Sequence, residues 1–253
     1  MQATGIAYLT HTWNPIAMRC TPVSEGCAHC WHLEVASRHS RNPVFPAYRR
    51  IANSGRSAPL LLDGEKGFAN ELARPARRKK PAVIGVQFMG DLWHERIADD
   101  WIDRVVAQIV AAPQHLFVTL TKRVNRAQLY WQARTVPPNA LMGTSVETQE
   151  LADERVPALL GIDGRRWLSV EPLLGPVDLS QALGGAPLSS IEFVTAGCEK
   201  PPFRASQDDW FRSLRDECAT SDVAFDLKQA VRHKAVLTHP LLDGRQHKKI
   251  PHA

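Results

Sequence analysis

The sequence has no hydrophobic run long enough to cross a membrane and no charged-then-apolar leader with a small-residue cleavage site. It is also poor in cysteine, since its 253 residues include only five, an odd number. These absences exclude an integral membrane protein and a disulfide-bonded scaffold. A chain of this length buries a core without disulfides, so we expect one soluble domain over residues 1–253 in a reducing cytoplasm.

Positive charge is in excess, with a formal net charge of +5 and a sequence pI of about 9.1. Basic residues cluster in residues 74–80 and in a tail, residues 231–253. Such clusters suit a polyanion such as DNA, because each phosphate contact releases a counterion, but a solvated basic face is the alternative. The irregular residues 43–81 are interpreted as an insertion or a lid.

Short apolar runs alternate with amphipathic segments along the chain. Residues 99–111 repeat apolar side chains at helical spacing. This alternation predicts an α/β fold with a parallel sheet, either a partial or a full barrel of the triosephosphate-isomerase type. The predicted strands are residues 83–88, 116–120, 141–146, 167–170, 191–195 and 223–227.

Polar residues follow almost every predicted strand. They are Gly90 and Asp91, Lys122 and Arg123, Glu147, Glu171, Cys198 and Glu199, and Lys228. Helix caps and loop polarity also place polar groups at strand ends. Because the carboxyl ends of parallel strands meet at one edge, the repetition favours a polar pocket there.

The spacing of Cys20, Cys27 and Cys30 indicates a metal site near the start of the chain. Thiolates favour zinc, copper(I) or iron–sulfur centres. Zinc normally takes a fourth protein ligand, for which His29 or His32 is available. A compact set of three cysteines instead suits a [4Fe-4S] cluster whose fourth iron stays open to a small molecule. Free thiols are the remaining alternative.

Ordered motifs over more than two hundred residues give the chain a wider resemblance. It is similar to a phage-borne and bacterial family of radical-SAM-like proteins that is distantly similar to spore photoproduct lyase. The motifs are residues 12–15, the three cysteines followed by Trp31, and residues 88–94, 120–123, 143–147, 152–155, 168–176 and 242–245.

The resemblance implies a barrel of the radical-SAM kind with an N-terminal cluster-binding loop, and a [4Fe-4S] cluster and S-adenosylmethionine as cofactors. Cys20, Cys27 and Cys30 would be the cluster ligands. Gly90 and Asp91 stand where a Gly-Gly-Glu-like element meets the methionyl amino group. The alternative for them is a loop glycine and a helix N-cap aspartate.

Other cofactor contacts are expected from the next strands. Ser145 and Glu147 alternate on one side of a strand and would meet ribose hydroxyls, while Arg155 or Arg123 would hold the methionyl carboxylate. Alternatively, Arg155 belongs to an exposed helical turn with local ion pairs.

Three further residues are candidates for the reaction itself. Glu171 precedes a proline that ends its strand, so it is expected to face the barrel interior. Lys228 is placed to meet a phosphate or a substrate carboxylate. Cys198 is a candidate hydrogen-atom donor, with a small apolar filler as the alternative.

The resemblance and the excess of positive charge together favour a radical SAM enzyme that modifies a thymine-derived base in phage DNA. Isomerising an amino-acid-thymine adduct from a nitrogen linkage to a carbon linkage would suit this enzyme type. DNA or a modified nucleotide would be the substrate, and an electron donor would reduce the cluster. The alternatives are a lyase that repairs a pyrimidine lesion and a non-enzymatic zinc-binding nucleic-acid module. The expected location is the cytoplasm of a bacterial cell.

Overall fold

The strands arise mainly from short β-branched and aliphatic runs, and they place the candidate site at one edge of a sheet. A computed structural model describes residues 1–53, 60–61, 64–200 and 204–250. Its strands are β1 (Gln2–Ala3), β2 (His11–Trp13), β3 (Ile16–Ala17), β4 (Leu60–Leu61), β5 (Val83–Val86), β6 (Leu116–Thr119), β7 (Ala140–Ser145), β8 (Arg165–Val170), β9 (Phe193–Gly197), β10 (Ala224–Arg232) and β11 (Ala235–Thr238).

Helices separate most of these strands. They are α1 (Trp31–Ser40), α2 (Pro46–Asn53), α3 (Gly64–Leu72), α4 (Arg74–Arg77), α5 (Asp99–Val110), α6 (Val124–Trp131), α7 (Gln149–Leu160), α8 (Leu179–Ala182) and α9 (Asp208–Thr220), with 3-10 turns at Glu25–Cys27 and Leu188–Ser190. Thr148 caps α7 by accepting a hydrogen bond from the Leu151 amide. None of the helices in the described part of the chain is long and apolar enough to cross a bilayer.

A mostly parallel sheet confirms the predicted α/β class. Its nine strands lie in the order β1, β2, β5, β6, β7, β8, β9, β10, β11. All neighbouring pairs from β2 to β10 are parallel, while β1 and β11 pair antiparallel at the two edges. Because each crossover leads to the next neighbour in the same direction, right-handed connections place the helices on one face.

The sheet is open. Across the described residues β1 and β11 form its two edges, so the full barrel that was one of the two expected forms is not made. A closed barrel needs the first and last strands to pair, and here antiparallel edge strands occupy those positions.

The two faces of the sheet carry separate apolar clusters. One face packs against the helices and carries the larger core. We call the other the inner face; its cluster includes Tyr8, Leu141, Trp167 and Phe193. The rings of Tyr8 and Trp167 lie 5.3 Å apart in an edge-to-face contact. Trp167 also needs Gly143 beneath it, because a Cβ there would lie 2.0 Å from its Nε1. The inner face is therefore filled by aromatic rings below the strand ends.

Two segments singled out in the sequence have defined parts. Within residues 43–81 lie α2, β4, α3 and α4, and β4 pairs with β3; residues 54–59 and 62–63 lie outside the described chain. Within residues 231–253, β11 extends the sheet and the Lys249 amide bonds to the Phe225 carbonyl, while residues 251–253 lie outside it.

Candidate metal and cofactor site at the strand ends

The three clustered cysteines lie on one loop between β3 and α1. We call residues 20–30 the cysteine loop. Its turns are closed by backbone hydrogen bonds from Cys27 to Ser24 (3.0 Å) and from Cys30 to Cys27 (3.2 Å). All three thiols are half-buried and free.

Arg123, just after β6, holds the first part of the cysteine loop. Its guanidinium donates to the carbonyl and hydroxyl of Thr21 at 3.0 and 2.7 Å and lies 3.5 Å from Cys20 Sγ. Glu95 accepts from the same guanidinium at 2.6 Å, and Asp91 lies 3.4 Å away. A guanidinium with this many acceptors is fixed in orientation, so it fixes the loop.

Glu147, just after β7, holds the middle of the loop. Its carboxylate is fully buried, accepts from Ser24 Oγ at 2.9 Å and is paired with Lys122. Gly26 approaches it so closely that a Cβ there would lie 2.6 Å from Glu147 Cδ. Its Oε2 has no hydrogen-bond partner in the described residues.

Arg204 joins a third strand end to the loop. It donates to both carboxylate oxygens of Glu199, just after β9, at 3.1 and 2.6 Å. The same guanidinium donates to the Glu25 carbonyl at 3.0 Å. The cysteine loop is thus attached to residues that follow β6, β7 and β9.

Gly26→Ala tests how tightly the loop is packed. The added Cβ would also lie 2.7 Å from Glu147 Oε1, so we expect the loop to shift and the free energy of unfolding to fall by about 1–3 kcal/mol. Denaturant unfolding measures it. Gly175→Ala is the matched control, because a Cβ there meets nothing within 4 Å. Equal stability of the two variants would contradict the close approach.

The thiols differ in their ease of ionisation. Burial, and then the charge of Asp91, raise the pKa of Cys20 to about 12 against the opposing effect of Arg123. Burial also raises the pKa of Cys27, but the charge of Lys122 and hydrogen bonds from the loop outweigh it, so the pKa is lowered overall. Metals bind the thiolate form, so the environment of Cys27 favours the state that a ligand needs.

Asp91 and Gly90 lie beside this loop. Asp91 is buried and accepts from Thr121 Oγ1 at 2.8 and 2.9 Å and from the Trp93 amide at 3.0 Å. No α-helix begins here, since the next one is α5, so the helix N-cap interpretation is wrong. Gly90 has a φ of +134° and packs on Met18. Binding of a methionyl amino group by Asp91 stays a prediction.

The alternating polar residues of β7 and β8 follow the inner face. Ser145 is two positions beyond Gly143, whose Cβ would meet Trp167, and Ser169 is two positions beyond Trp167 itself. Glu147 and Glu171 continue the same two alternations past the strand ends. The expected interior orientation of these side chains agrees with the strand geometry.

Arg155 is buried, so the alternative that it belongs to an exposed helical turn is wrong. Only 3% of its side chain is accessible, and it donates to the Ser145 carbonyl at 2.8 Å. It lies 3.7 Å from Glu147, and its Nε has no partner within the described chain. A buried guanidinium beside the strand ends retains one donor for a ligand.

The three reaction candidates lie together: Glu171 and Cys198 directly follow β8 and β9, whereas Lys228 lies within β10, which extends past the predicted end at residue 227. Lys228 Nζ is 2.7 Å from both carboxylate oxygens of Glu171. Cys198 is buried, its amide bonds to the Gln229 carbonyl, and burial raises the pKa of its thiol to about 11. The thiol therefore keeps its hydrogen at neutral pH.

Several contacts of this site were not predicted from the sequence. Ser24, Gly26, Glu95 and Arg204 form the attachments of the cysteine loop, and His32 Nε2 accepts the Cys20 amide at 3.1 Å. Among these only Gly26, a glycine between two cysteines, carried a local signal.

The donor set fits an iron–sulfur cluster in kind. Three half-buried thiols share one loop. His32 Nε2 accepts from the Cys20 amide, whereas its Nδ1 has no partner in the described residues, so His32 keeps one unpartnered ring nitrogen for the zinc alternative. Across the part of the chain that the structure describes, no three His, Cys, Asp or Glu side chains stand close enough to hold a metal ion. Binding a cluster would therefore bring the three thiols closer together than they stand here.

Fold and site together define an α/β protein with a cysteine loop attached to the carboxyl ends of a parallel sheet. The chain belongs to the family described as "Protein of unknown function (DUF5131)", whose sequence model matches residues 3–251. Searches of the curated proteins and of the solved structures gave no significant match.

Proposed function

We propose that this protein is a radical S-adenosylmethionine enzyme in which Cys20, Cys27 and Cys30 bind a [4Fe-4S] cluster. The observation that supports this best is the attachment of the three-thiol loop to residues after β6, β7 and β9. When bound, the cluster supplies an electron to S-adenosylmethionine and so yields a 5′-deoxyadenosyl radical. The open, sequentially ordered parallel sheet would be a partial barrel of the radical-SAM kind.

The chain's own residues have defined parts in this proposal. Arg123 and Lys122 place positive charge beside Cys20 and Cys27 and offset the negative charge of the thiolates. Asp91 would accept the methionyl ammonium, and Ser145 and Glu147 would meet the ribose. Arg155 would turn its unpaired Nε toward the methionyl carboxylate. The buried aromatic rings of the inner face exclude water from below.

For the substrate we propose a thymine-derived base in DNA, with an amino-acid-thymine adduct isomerised from a nitrogen to a carbon linkage. Support comes from the excess of positive charge and from the location of the reaction candidates at the same edge as the cysteine loop. The cations at that edge are already paired: Lys122 with Glu147, Arg123 with Glu95, and Lys228 with Glu171. A phosphate there must displace a carboxylate. The enzyme would act in the bacterial cytoplasm with a one-electron donor.

A pyrimidine-lesion lyase is the second candidate, and Cys198 favours it. Its raised pKa keeps the S–H bond that a hydrogen-atom donor needs, at a strand end beside Gln229. Cys198→Ala decides between the two: an isomerase retains its product, whereas a lyase that depends on this donor loses it.

The proposal is tested with anaerobically reconstituted protein. Iron and sulfide are measured first; then reductant and S-adenosylmethionine are added and 5′-deoxyadenosine is quantified with and without modified DNA. We expect about four irons per chain and deoxyadenosine that increases with substrate. A protein with an intact cluster and no deoxyadenosine under any condition would overturn the proposal.

The basic segment, residues 74–80, offers a separate contact for DNA. With Met1 it lines a cleft of about 390 Å³. It ends two residues before β5, so it lies at the amino edge of the sheet, opposite the cysteine loop. β5 has four residues, which at the usual rise is about 13 Å. A DNA strand bound here must cross the sheet to bring a base to the thiols.

Charge reversal tests this contact. We expect the Lys79→Glu/Lys80→Glu double variant to bind duplex DNA about tenfold more weakly at low salt, with a shallower salt dependence, because two phosphate contacts are lost. Fluorescence anisotropy over a salt series measures both. Lys79→Arg/Lys80→Arg keeps the charge and should keep the affinity. Unchanged binding by the glutamate variant would remove this segment from the DNA surface.

A further inference from the structure

A buried carboxylate lies between two hydrogen-bond donors on the last strands of the sheet. Asp226 is fully buried on β10 and accepts from Thr195 Oγ1, on β9, at 2.9 Å. Its second oxygen lies 3.0 Å from His239 Nε2. Asp226 is two positions beyond Ala224, which packs on the inner-face cluster, so the carboxylate lies on the inner face. No motif in the sequence marked this arrangement.

The backbone holds the imidazole of His239 in a strained position. Its φ is +46°, in the left-handed region that few residues other than glycine adopt. The His239 amide donates to the Lys228 carbonyl at 2.8 Å, and the His239 carbonyl accepts from Gln246 Nε2 at 2.8 Å. Strain that surrounding bonds maintain is frequent at functional sites.

The second ring nitrogen of His239 is available. Nε2 faces a carboxylate, so it carries the proton, and neutral imidazole then has its lone pair on Nδ1. Nδ1 has no hydrogen-bond partner among the residues that the structure describes. It is also not one of the fully buried polar atoms that lack a partner. The side chain is 12% accessible. Such a ring can accept a proton from a ligand.

The groups around the pair form one cluster with the reaction candidates. Lys228 follows Asp226 by two positions on β10, and its Nζ lies 5.8 Å from the ring centre of Tyr8 and 2.7 Å from Glu171. Burial raises the pKa of Asp226, while Thr195 and then His239 oppose the shift. Burial, Glu171 and Asp226 raise the pKa of Tyr8, so its hydroxyl stays neutral.

These charges favour a cationic ligand. Lys228 bonds to both oxygens of Glu171, which leaves the two carboxylates offset by a single ammonium when His239 is neutral. In that state both hydrogen-bond partners of Asp226, the His239 imidazole and the Thr195 hydroxyl, are uncharged. A substrate ammonium is therefore attracted here more than a carboxylate or a phosphate.

We propose that Thr195, Asp226 and His239 form a proton-transfer site in which His239 Nδ1 is the base for an amine nitrogen of the substrate. His239 Nδ1 takes a proton from the substrate ammonium, the broken N–H bond leaves its electron pair on that nitrogen, and Asp226 stabilises the imidazolium. The imidazolium then releases that proton to the solvent, so that binding of the ammonium releases a proton to the buffer and the amine is held uncharged. Asp226 and Thr195 are positioning residues, since they act through the ring.

This inference rests on the proposed function only in its choice of substrate, a thymine nucleoside that carries an amino acid on a nitrogen. With that nucleoside in DNA, we expect His239→Gln to lower product formation about 10²–10⁴-fold while wild-type levels of 5′-deoxyadenosine persist.

Variants of the positioning residues separate this role from a structural one. Asp226→Asn and Thr195→Val should lose product without losing deoxyadenosine, and Thr195→Ser, which keeps the hydroxyl, should recover it. If product and deoxyadenosine fall together in every variant, along with the unfolding temperature, the pair is structural and the inference is overturned.

A calorimetric measurement does not depend on radical chemistry. Binding of the amine-bearing nucleoside is measured in two buffers of different ionisation enthalpy, which gives the number of protons exchanged. We expect proton exchange with the buffer in the wild type and its loss in His239→Gln. Equal values would overturn the inference. Absence of deoxyadenosine from the wild type would instead count against the proposed function alone.

Discussion

Cys27→Ala is expected to remove nearly all iron from the reconstituted protein and to abolish 5′-deoxyadenosine formation. Cys27 lies in the middle of the cysteine loop, next to the attachment of Ser24 to Glu147. Burial raises the pKa of Cys20, whereas the pKa of Cys27 is lowered overall, so Cys27 ionises more readily than Cys20. With one of three ligands missing, two irons at most keep a protein thiolate. Iron, sulfide and deoxyadenosine assays measure the result.

Cys218→Ala is the matched control. Cys218 is buried on α9 with Phe211 and Leu214, and burial raises the pKa of its thiol to about 12. We expect this variant to keep its iron and its deoxyadenosine at wild-type levels, with at most a small loss of stability. Full iron retention by Cys27→Ala, or equal loss in both variants, would contradict the assignment of the loop cysteines.

The strands were predictable because their signal is local. The expected run at residues 116–120 became β6 (Leu116–Thr119), and the expected helix at residues 99–111 became α5 (Asp99–Val110). Fully buried strands of a parallel sheet read as continuous β-branched and aliphatic runs. Whether the sheet closes depends on its edges: β1 has only two residues, and β11 (Ala235–Thr238) was not among the predicted strands although its sequence is apolar.

The positions of the strand-end residues were predictable, but their partners were not. Alternation alone indicated that Glu147 and Glu171 face inward. The partner of Arg204 in the cysteine loop, Glu25, is separated from it by 179 residues. Asp226 and His239 are joined only because a hairpin returns β11 beside β10. Contacts of this kind follow from tertiary geometry, which periodicity does not contain.

Arg123 shows how a correct location can differ in its contacts. The sequence placed it at a strand end as a fork for the methionyl carboxylate. In the structure its guanidinium is held by Glu95, Asp91 and Thr21. The opposing carboxylates raise its pKa above the usual range although burial lowers it. Its demonstrated contacts are with the cysteine loop, and those contacts support the loop before any ligand arrives.

Glu147→Gln is expected to cost the metal-free protein about 3–5 kcal/mol of unfolding free energy, because it leaves buried positive charge without its partner. The Glu147 side chain is fully buried, Lys122 is paired with it, and Arg155, 3% accessible, lies 3.7 Å away. Glutamine has nearly the same shape as glutamate beneath Gly26, so the loss of unfolding free energy measures the effect of charge rather than of packing. Denaturant unfolding without metal measures it.

A double-mutant cycle separates this pair from general damage at the strand ends. Lys122→Met removes the opposing charge while keeping an apolar side chain of similar length, and Glu147→Gln/Lys122→Met leaves Arg155 as the remaining cation. We expect the double variant to lose less unfolding free energy than the two single variants lose together, by about 0.5–3 kcal/mol, because the charges interact directly. Additive losses would mean that Lys122 and Glu147 are not coupled. The loop would then be held chiefly by Arg123 and Arg204, whose hydrogen bonds to its carbonyls do not depend on Glu147.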